Sequence, residues 1–392
     1  MKVEFANRVK RLPPYLFAEI ERLIKEKKAQ GVDLISLSIG DPDLPPPQFV
    51  IEALKAEVAD LKNHNYSFSQ GEPFFRQAVA DWYKKRFHVD LEQEQVVALL
   101  GSKEGIANIG RAFVNAGDRV LVPDPAYPVY ANATTTLNDG VPVSMPLLEA
   151  NGYEPDFDAV DPRKVKMMFL NYPNNPTAAT VDRAFLVEAV DFAVDNNIIL
   201  CYDNAYSEVS FDGCKPPSIL EIDGAMDVAV EFHSCSKTFS MTGDRIAFCV
   251  GNKQLISGLT KVKSQVDSGP PVYIQKVAEK ALASYKSDEQ PEFLQKNNRI
   301  YAERRDILVD RLCRMGFECE KPKATFYVWT NCKSNSLEFA TKLLDVGVAV
   351  TPGTGFGIHG ENFVRFSLTQ PKERIEEACT RISALFGCAD TQ

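Results

Sequence analysis

Apolar residues along this chain follow two alternating rhythms. Leu16, Phe17, Ile20, Leu23 and Ile24 recur at three- and four-residue spacing until Gly31, which predicts an amphipathic helix with a glycine stop. A short strand over 34–39 follows and closes at Gly40-Asp41-Pro42. The middle of the chain then repeats one unit: a short, β-prone apolar run, a polar or Pro/Gly turn, and a helical stretch. The runs are 96–100, 119–122, 165–170, 198–202, 228–232 and 246–250. Near-continuous apolarity belongs to strands covered on both faces, so the pattern predicts an α/β layered domain with a largely parallel sheet.

From about Tyr285 the rhythm changes to a long charged helix through Arg304, Arg305 and Arg311, ending at Gly316. A strand over 324–329, a helix from Leu337, strands near Val348 and Val364 and a last helix from Lys372 complete a smaller α+β unit. The 392 residues exceed what one core usually organises, so two domains are expected. The large one takes 46–284, and the small one takes 1–45 together with 285–392.

Composition then removes whole classes of function. No apolar run approaches the roughly eighteen residues of a membrane span. The start, Met-Lys-Val-Glu-Phe-Ala-Asn-Arg, has no uninterrupted apolar stretch, so a secretory signal is not expected and the cytoplasm is. Lys and Arg number 44 against 53 Asp and Glu, a net charge of −9, and the one basic run, from Lys25 to Lys28, is interrupted by Glu26. Nucleic acid and anionic membrane are therefore poor partners. Nine scattered cysteines, without a C-x-x-C or a His pair of zinc spacing, predict reduced thiols and no metal.

Open α/β sheets bind ligands beyond the carboxyl ends of their strands, so the turns after each run hold the candidate chemistry. The first is Gly101-Ser102-Lys103-Glu104-Gly105, small residues that expose backbone N–H groups to an anion at a helix start, although an ordinary helix cap reads the same way. In Asp124-Pro125-Ala126-Tyr127-Pro128 the prolines hold Tyr127 where its face could stack on a flat ring, or serve the turn alone. The run at 165 ends in Asn171-Tyr172-Pro173-Asn174-Asn175-Pro176-Thr177 and presents amides. The next delivers Asp203-Asn204-Ala205-Tyr206. A carboxylate there needs a fixed cation to stay charged, unless it merely caps the turn. Last comes His233-Ser234-Cys235-Ser236-Lys237-Thr238, with Arg245 eight residues beyond the lysine. A lysine enclosed by hydroxyls is a Schiff-base candidate, and those hydroxyls with a guanidinium suit a phosphate monoester; a surface lysine in a serine-rich loop is the alternative.

Taken in order, these motifs resemble the class I/II aminotransferases among the fold-type-I pyridoxal-phosphate enzymes. More narrowly, Pro-Tyr-Leu-Phe-Ala-Glu-Ile at 14–20, Gly-Ser-Lys-Glu-Gly-Ile at 101–106, Asp-Asn-Ala-Tyr-Ser-Glu at 203–208 and Thr-Pro-Gly-Thr-Gly-Phe-Gly at 351–357 resemble the LL-diaminopimelate aminotransferases. The likeness runs from about residue 5 to 385. It implies that Lys237 holds pyridoxal 5′-phosphate covalently, that Asp203 meets the pyridinium, and that Asn175 and Tyr206 bond the ring's phenolic oxygen. It puts Tyr127 on the ring and Ser102, Lys103, Ser234 and Arg245 around the phosphate. It implies that Arg365 clamps the substrate α-carboxylate beneath Gly40, and that Tyr15 and Lys103 meet a distal carboxylate. A homodimer follows from it, with Tyr66 reaching the partner's phosphate, as does ping-pong transamination between an amino acid and a 2-oxo acid.

The chain departs from the family pattern at Ala178, where glycine is usual, at Asp244, where tryptophan is usual, and at Ser69-Gln70, where an acid meets the distal ammonium and Glu72 stands just beyond. A transaminase for aspartate, alanine or an aromatic amino acid would use the same machinery. A non-catalytic pyridoxal-phosphate regulator would carry an N-terminal winged helix, whereas here the catalytic pattern begins by residue 15. A nicotinamide dehydrogenase would need an early G-x-G-x-x-G, and the nearest string, Gly353-Thr354-Gly355-Phe356-Gly357, is late and misspaced.

Overall fold

Strands pair into three sheets in the computed structural model, which describes residues 2–14 and 16–387. In chain order they begin with β1 (Ile35–Ser36), β2 (Val96–Leu99), β3 (Arg119–Asp124), β4 (Val141–Pro146), β5 (Val165–Asn171) and β6 (Ile199–Asp203). They continue with β7 (Ala229–Ser234), β8 (Ala247–Gly251), β9 (Glu318–Cys319), β10 (Tyr327–Asn331), β11 (Val348–Ala349), β12 (Thr351–Pro352) and β13 (Phe363–Ser367).

The large sheet has the order β2-β8-β7-β6-β5-β3-β4 and is parallel except at β8, which runs antiparallel to both neighbours. Side-chain alternation explains its apolar runs. Val97, Leu99, Val120, Met167 and Phe169 face one core with Ile106, Ile109 and Leu259 from the helices Ser102–Phe113 and Lys253–Lys263. Their neighbours Val96, Ala98, Leu121, Met168 and Leu170 face the other core, with Phe75, Val79, Leu186 and Val277. Both faces of the central strands are covered, so most of their positions are apolar and no regular polar alternation survives. Strand order reverses between β4 and β5, which leaves a crevice beyond the carboxyl ends of β3 and β5.

The remaining strands form an antiparallel sheet, β12-β13-β10-β9, and a parallel pair, β1-β11. Ile20, Ile24 and Leu34 pack with Leu344 and Ala349, and Arg374 and Arg381 both bind Asp33, at 2.7 and 2.6 Å. The N-terminal segment thus shares a core with the C-terminal part of the chain. Among the described residues no helix is long and apolar enough to cross a membrane.

Three expectations need correction. The long charged helix spans Glu292–Arg314 rather than starting near Tyr285, because Pro291 opens it and the previous helix, Val272–Leu282, ends earlier. The strand expected over 324–329 is displaced to β10, since Thr325 has φ 68 and cannot extend a ladder. β4 escaped detection because it is an edge strand, largely exposed and bearing Pro142 and Pro146.

Candidate active site

The crevice holds a cavity of about 310 Å³ lined by Gly40, Ser102, Lys103, Tyr127, Asn175, Asp203, Tyr206, Lys237 and Arg365, all residues singled out from sequence. Ile39, Tyr130, Asn171, Ala205 and Tyr327 line it as well. Ser234 stays outside: buried at the end of β7, its Oγ accepts the Ser236 N–H at 3.3 Å. Arg245 does not line the cavity either; it has φ 56, lies beside Gly101 and donates to the Thr242 and Leu100 carbonyls at 2.8 and 3.2 Å. Tyr66 is 92% exposed and does not reach this cavity. Tyr15 lies outside the described residues.

Lys237 and Asp203 come from adjacent parallel strands. Asp203 ends β6 and pairs in register with Phe232 of β7, and the turn after β7 carries Lys237. The Lys237 ammonium donates to the Gly40 carbonyl at 3.0 Å, and burial pulls its pKa down to about 8. Burial pushes the Asp203 carboxyl up to about 6, against a 2.7 Å hydrogen bond donated by Tyr130 to Oδ2. Among the described residues Oδ1 has no hydrogen-bond partner. Such an atom costs roughly 1–3 kcal/mol when left alone, so Asp203 presents a buried site for an external N–H.

The turn after β5 is built from its own amides. Asn171 donates to the Asp203 carbonyl at 2.7 Å and accepts the Asn175 N–H at 2.9 Å, while Asn174 accepts the Thr177 N–H at 2.9 Å. Asn175 is thereby aimed at Arg365, which donates to its Oδ1 at 2.6 Å and to the Ser38 carbonyl at 2.7 Å. The guanidinium is 1% exposed, lies 4.2 Å from the Tyr327 ring and 4.9 Å from the Phe356 ring, and has its pKa lowered by burial. A guanidinium stays charged even so, which makes this a strong and enclosed anion receptor.

Gly40 is required sterically, since a Cβ there would sit 1.8 Å from the Tyr327 hydroxyl oxygen. At Gly101, φ +87, a Cβ would meet Arg245 Nη2 at 2.1 Å, so the glycine lets the guanidinium approach the start of the Ser102–Phe113 helix. Backbone N–H groups and a cation together suit a phosphate. With the unpartnered Asp203 oxygen and the low-pKa Lys237 amine, these features match the demands of a phosphorylated pyridine aldehyde. Tyr127 contributes an aromatic face near Tyr130, with ring centroids 5.9 Å apart.

Sequence reasoning missed Tyr130 and Tyr327. Tyr130 follows Tyr127 by three residues after Pro128, a helical spacing that could have flagged it. Tyr327, 3.0 Å from the Tyr206 hydroxyl, lies in a strand whose register with β13 has no sequence signal. Neither Ser69, Gln70 nor Glu72 lines the cavity; the Glu72 carboxylate accepts the Phe68 N–H at 3.3 Å.

A family profile described as aminotransferase class I and II matches residues 32–382. The chain is 48% identical over 389 residues to an LL-diaminopimelate aminotransferase of Desulforudis audaxviator, covering 97% of this chain and 98% of that one. An enzyme of the same name from Maridesulfovibrio salexigens is 49% identical over 390 residues, covering 97% and 99%. Among solved structures, substrate-bound BacF from Bacillus subtilis superposes with a TM-score of 0.91 at 38% identity, covering 98% of each chain. Aspartate aminotransferase from Thermus thermophilus with maleate gives 0.91 at 27% identity, covering 98% of this chain and 100% of that one.

Proposed function

The chain belongs to the aminotransferases of class I and II, and from that premise we propose that it exchanges the amino group of LL-2,6-diaminopimelate with 2-oxoglutarate, in lysine biosynthesis. It is a pyridoxal-phosphate enzyme. What carries the reaction class is the meeting of Lys237, Asp203 and Arg365 in one cavity. What favours the substrate is the name shared by relatives 46% to 49% identical along nearly the whole chain.

Pyridoxal phosphate, when bound, supplies an aldehyde that takes up an amino group and a protonated ring that withdraws electrons from the reacting carbon. The roles of the protein's groups follow from their chemistry. The Lys237 amine would hold the cofactor and, once a substrate amino group has replaced it, carry the proton leaving the substrate Cα. Its lowered pKa, about 8, leaves a usable fraction of free base near neutrality. Asp203 would keep a proton on the ring nitrogen through Oδ1. Tyr206 and Asn175 would bond the phenolic oxygen, and Ser102, Lys103 and Arg245 would surround the phosphate, with Ser234 capping the turn behind it. Arg365 would bind the α-carboxylate bidentately.

The same reading takes 46–284 as the cofactor-holding domain and 1–45 with 285–392 as the domain that closes on the substrate. It places the enzyme in the cytoplasm as a homodimer in which Tyr66 reaches the partner's phosphate. Leu61, Tyr66 and Phe68, exposed by 84%, 92% and 60%, favour that face as a subunit contact. Since Glu72 is turned to its own backbone, the substrate's distal ammonium would be met by neutral oxygens or across that contact. The deciding experiment adds LL-diaminopimelate, the meso isomer, glutamate, aspartate and alanine singly to the holoenzyme and follows the lysine-bound cofactor's absorption. Fastest conversion with the LL isomer is expected. Faster conversion with aspartate or alanine would reassign the substrate.

A further inference from the structure

Behind the cavity, His233 is buried on β7 between the strand end that carries Asp203 and the turn that carries Lys237. One ring nitrogen, Nδ1, lies 2.9 Å from the Asn204 carbonyl oxygen, and the other, Nε2, lies 3.1 Å from the Thr238 hydroxyl. A carbonyl only accepts, so Nδ1 carries the proton. Burial pulls the imidazole pKa down to about 4, so the ring is neutral at working pH and Nε2 accepts from the Thr238 hydroxyl. Asn204 and Thr238 are the residues next to Asp203 and Lys237.

The tie is anchored from both sides. Trp82 and Phe248 pack on the imidazole at 4.8 and 5.2 Å between ring centroids. Asn204 also donates from its side chain to buried Glu231 at 3.0 Å, and that carboxylate is held by Tyr83, Ser218 and the Ile219 N–H at 2.8, 2.6 and 2.9 Å. The Asp203 end is therefore fixed rigidly, and His233 transmits that rigidity to the Lys237 turn. That turn is a single helical turn, Cys235–Thr238, too short to hold its own shape.

We propose that His233 is a positioning residue for the reaction: through Asn204 and Thr238 it sets the Lys237 amine relative to the Asp203 carboxylate. This rests on the roles given above to Lys237 and Asp203. The geometry of these two groups matters because small misplacements of reacting groups cost rate without costing binding.

The test combines two conservative variants with a measurement that needs no cofactor. In the cofactor-free protein, side-chain nitrogen NMR of the four histidines should show His233 protonated at Nδ1 and bare at Nε2 near neutral pH. His233→Asn keeps an N–H toward Asn204 and loses the Thr238 arm, and Thr238→Val removes the hydroxyl at constant shape. Each should lower kcat about tenfold with KM nearly unchanged, and each should shift the titration of the lysine-bound cofactor's absorption in the same direction. The double variant should be no worse than the poorer single, because both cut the His233–Thr238 bond, Thr238→Val losing in addition only the longer, 3.4 Å hydroxyl contact to the Ser234 carbonyl. Additive losses, an Nε2-protonated ring, or variants that differ from wild type only in thermal stability would overturn the proposal. A wild-type protein that fails to bind pyridoxal phosphate on Lys237 would instead overturn the roles on which it rests, and the NMR result would stand apart from that failure.

Discussion

Lys237 sits in an environment unlike that of an ordinary surface lysine. In the cofactor-free protein its pKa is lowered from 10.5 to about 8, so between those values the unfolded chain holds more protons on this amine than the folded one. Stability therefore rises with pH through that window on its account. Comparison of thermal midpoints should show a steeper rise in wild type than in Lys237→Met; equal slopes would mean the amine is not desolvated. Asp203 carries the opposite sign, since its carboxyl is raised to about 6 and its contribution to stability falls as pH rises from 3.8 to that value. Asp203→Asn keeps the shape and the Tyr130 contact but removes the charge opposite the ring nitrogen. Its kcat should drop by about a hundredfold or more with cofactor still bound, and near-normal turnover would require another partner for the ring. Arg365→Lys should weaken every amino donor and oxo acceptor alike, because a point charge cannot replace a bidentate guanidinium. Selective loss of one substrate would show that Arg365 reads a side chain.

At the level of elements, the site is made by turns that other segments hold in place. Asp124, at the end of β3, accepts the His359 N–H at 3.2 Å, and Ala126 donates to the Phe356 carbonyl at 2.8 Å. The glycine-rich segment at 351–357 thus grips the turn that carries Tyr127. Gly40 does the same for Lys237, offering its carbonyl while passing under Tyr327. Gly40→Ala forces the segment away, so kcat/KM should fall at least about tenfold for all substrates while the thermal midpoint changes little. Wild-type kcat/KM in that variant would mean the segment has room to spare. These turns were visible in the sequence as Gly/Pro punctuation. The register that sets Trp329 against Arg365, and with it Tyr327 over the guanidinium, was not, because strand pairing depends on residues far apart in the chain.

For the whole molecule, the three sheets divide the labour. The large sheet delivers Asp203 and Lys237 from neighbouring strand ends, and the small sheet and β1 bring Arg365 and Gly40 across the crevice. If sites are shared between subunits, Lys237→Ala and Tyr66→Phe chains mixed and reassembled should regain activity, since each mixed dimer restores one intact site. Absence of any regain, with dimers present by sedimentation, would confine Tyr66 to its own subunit's surface.

The linear order of residues was enough to determine the α/β class, most of the strands and the strand ends and turns that carry Lys237, Asp203 and Asn175, because buried strands and turn residues declare themselves by local pattern. It also carried the family likeness. Only the tertiary structure decided the antiparallel placement of β8, the edge position of β4, the hydroxyl of Tyr130 on Asp203, Gly40 beneath Tyr327 and the His233 tie. Each of these joins groups that are remote in sequence or set by backbone placement. The free energy that fixes them comes from burial and pairing in three dimensions, for which a local run of residues has no code.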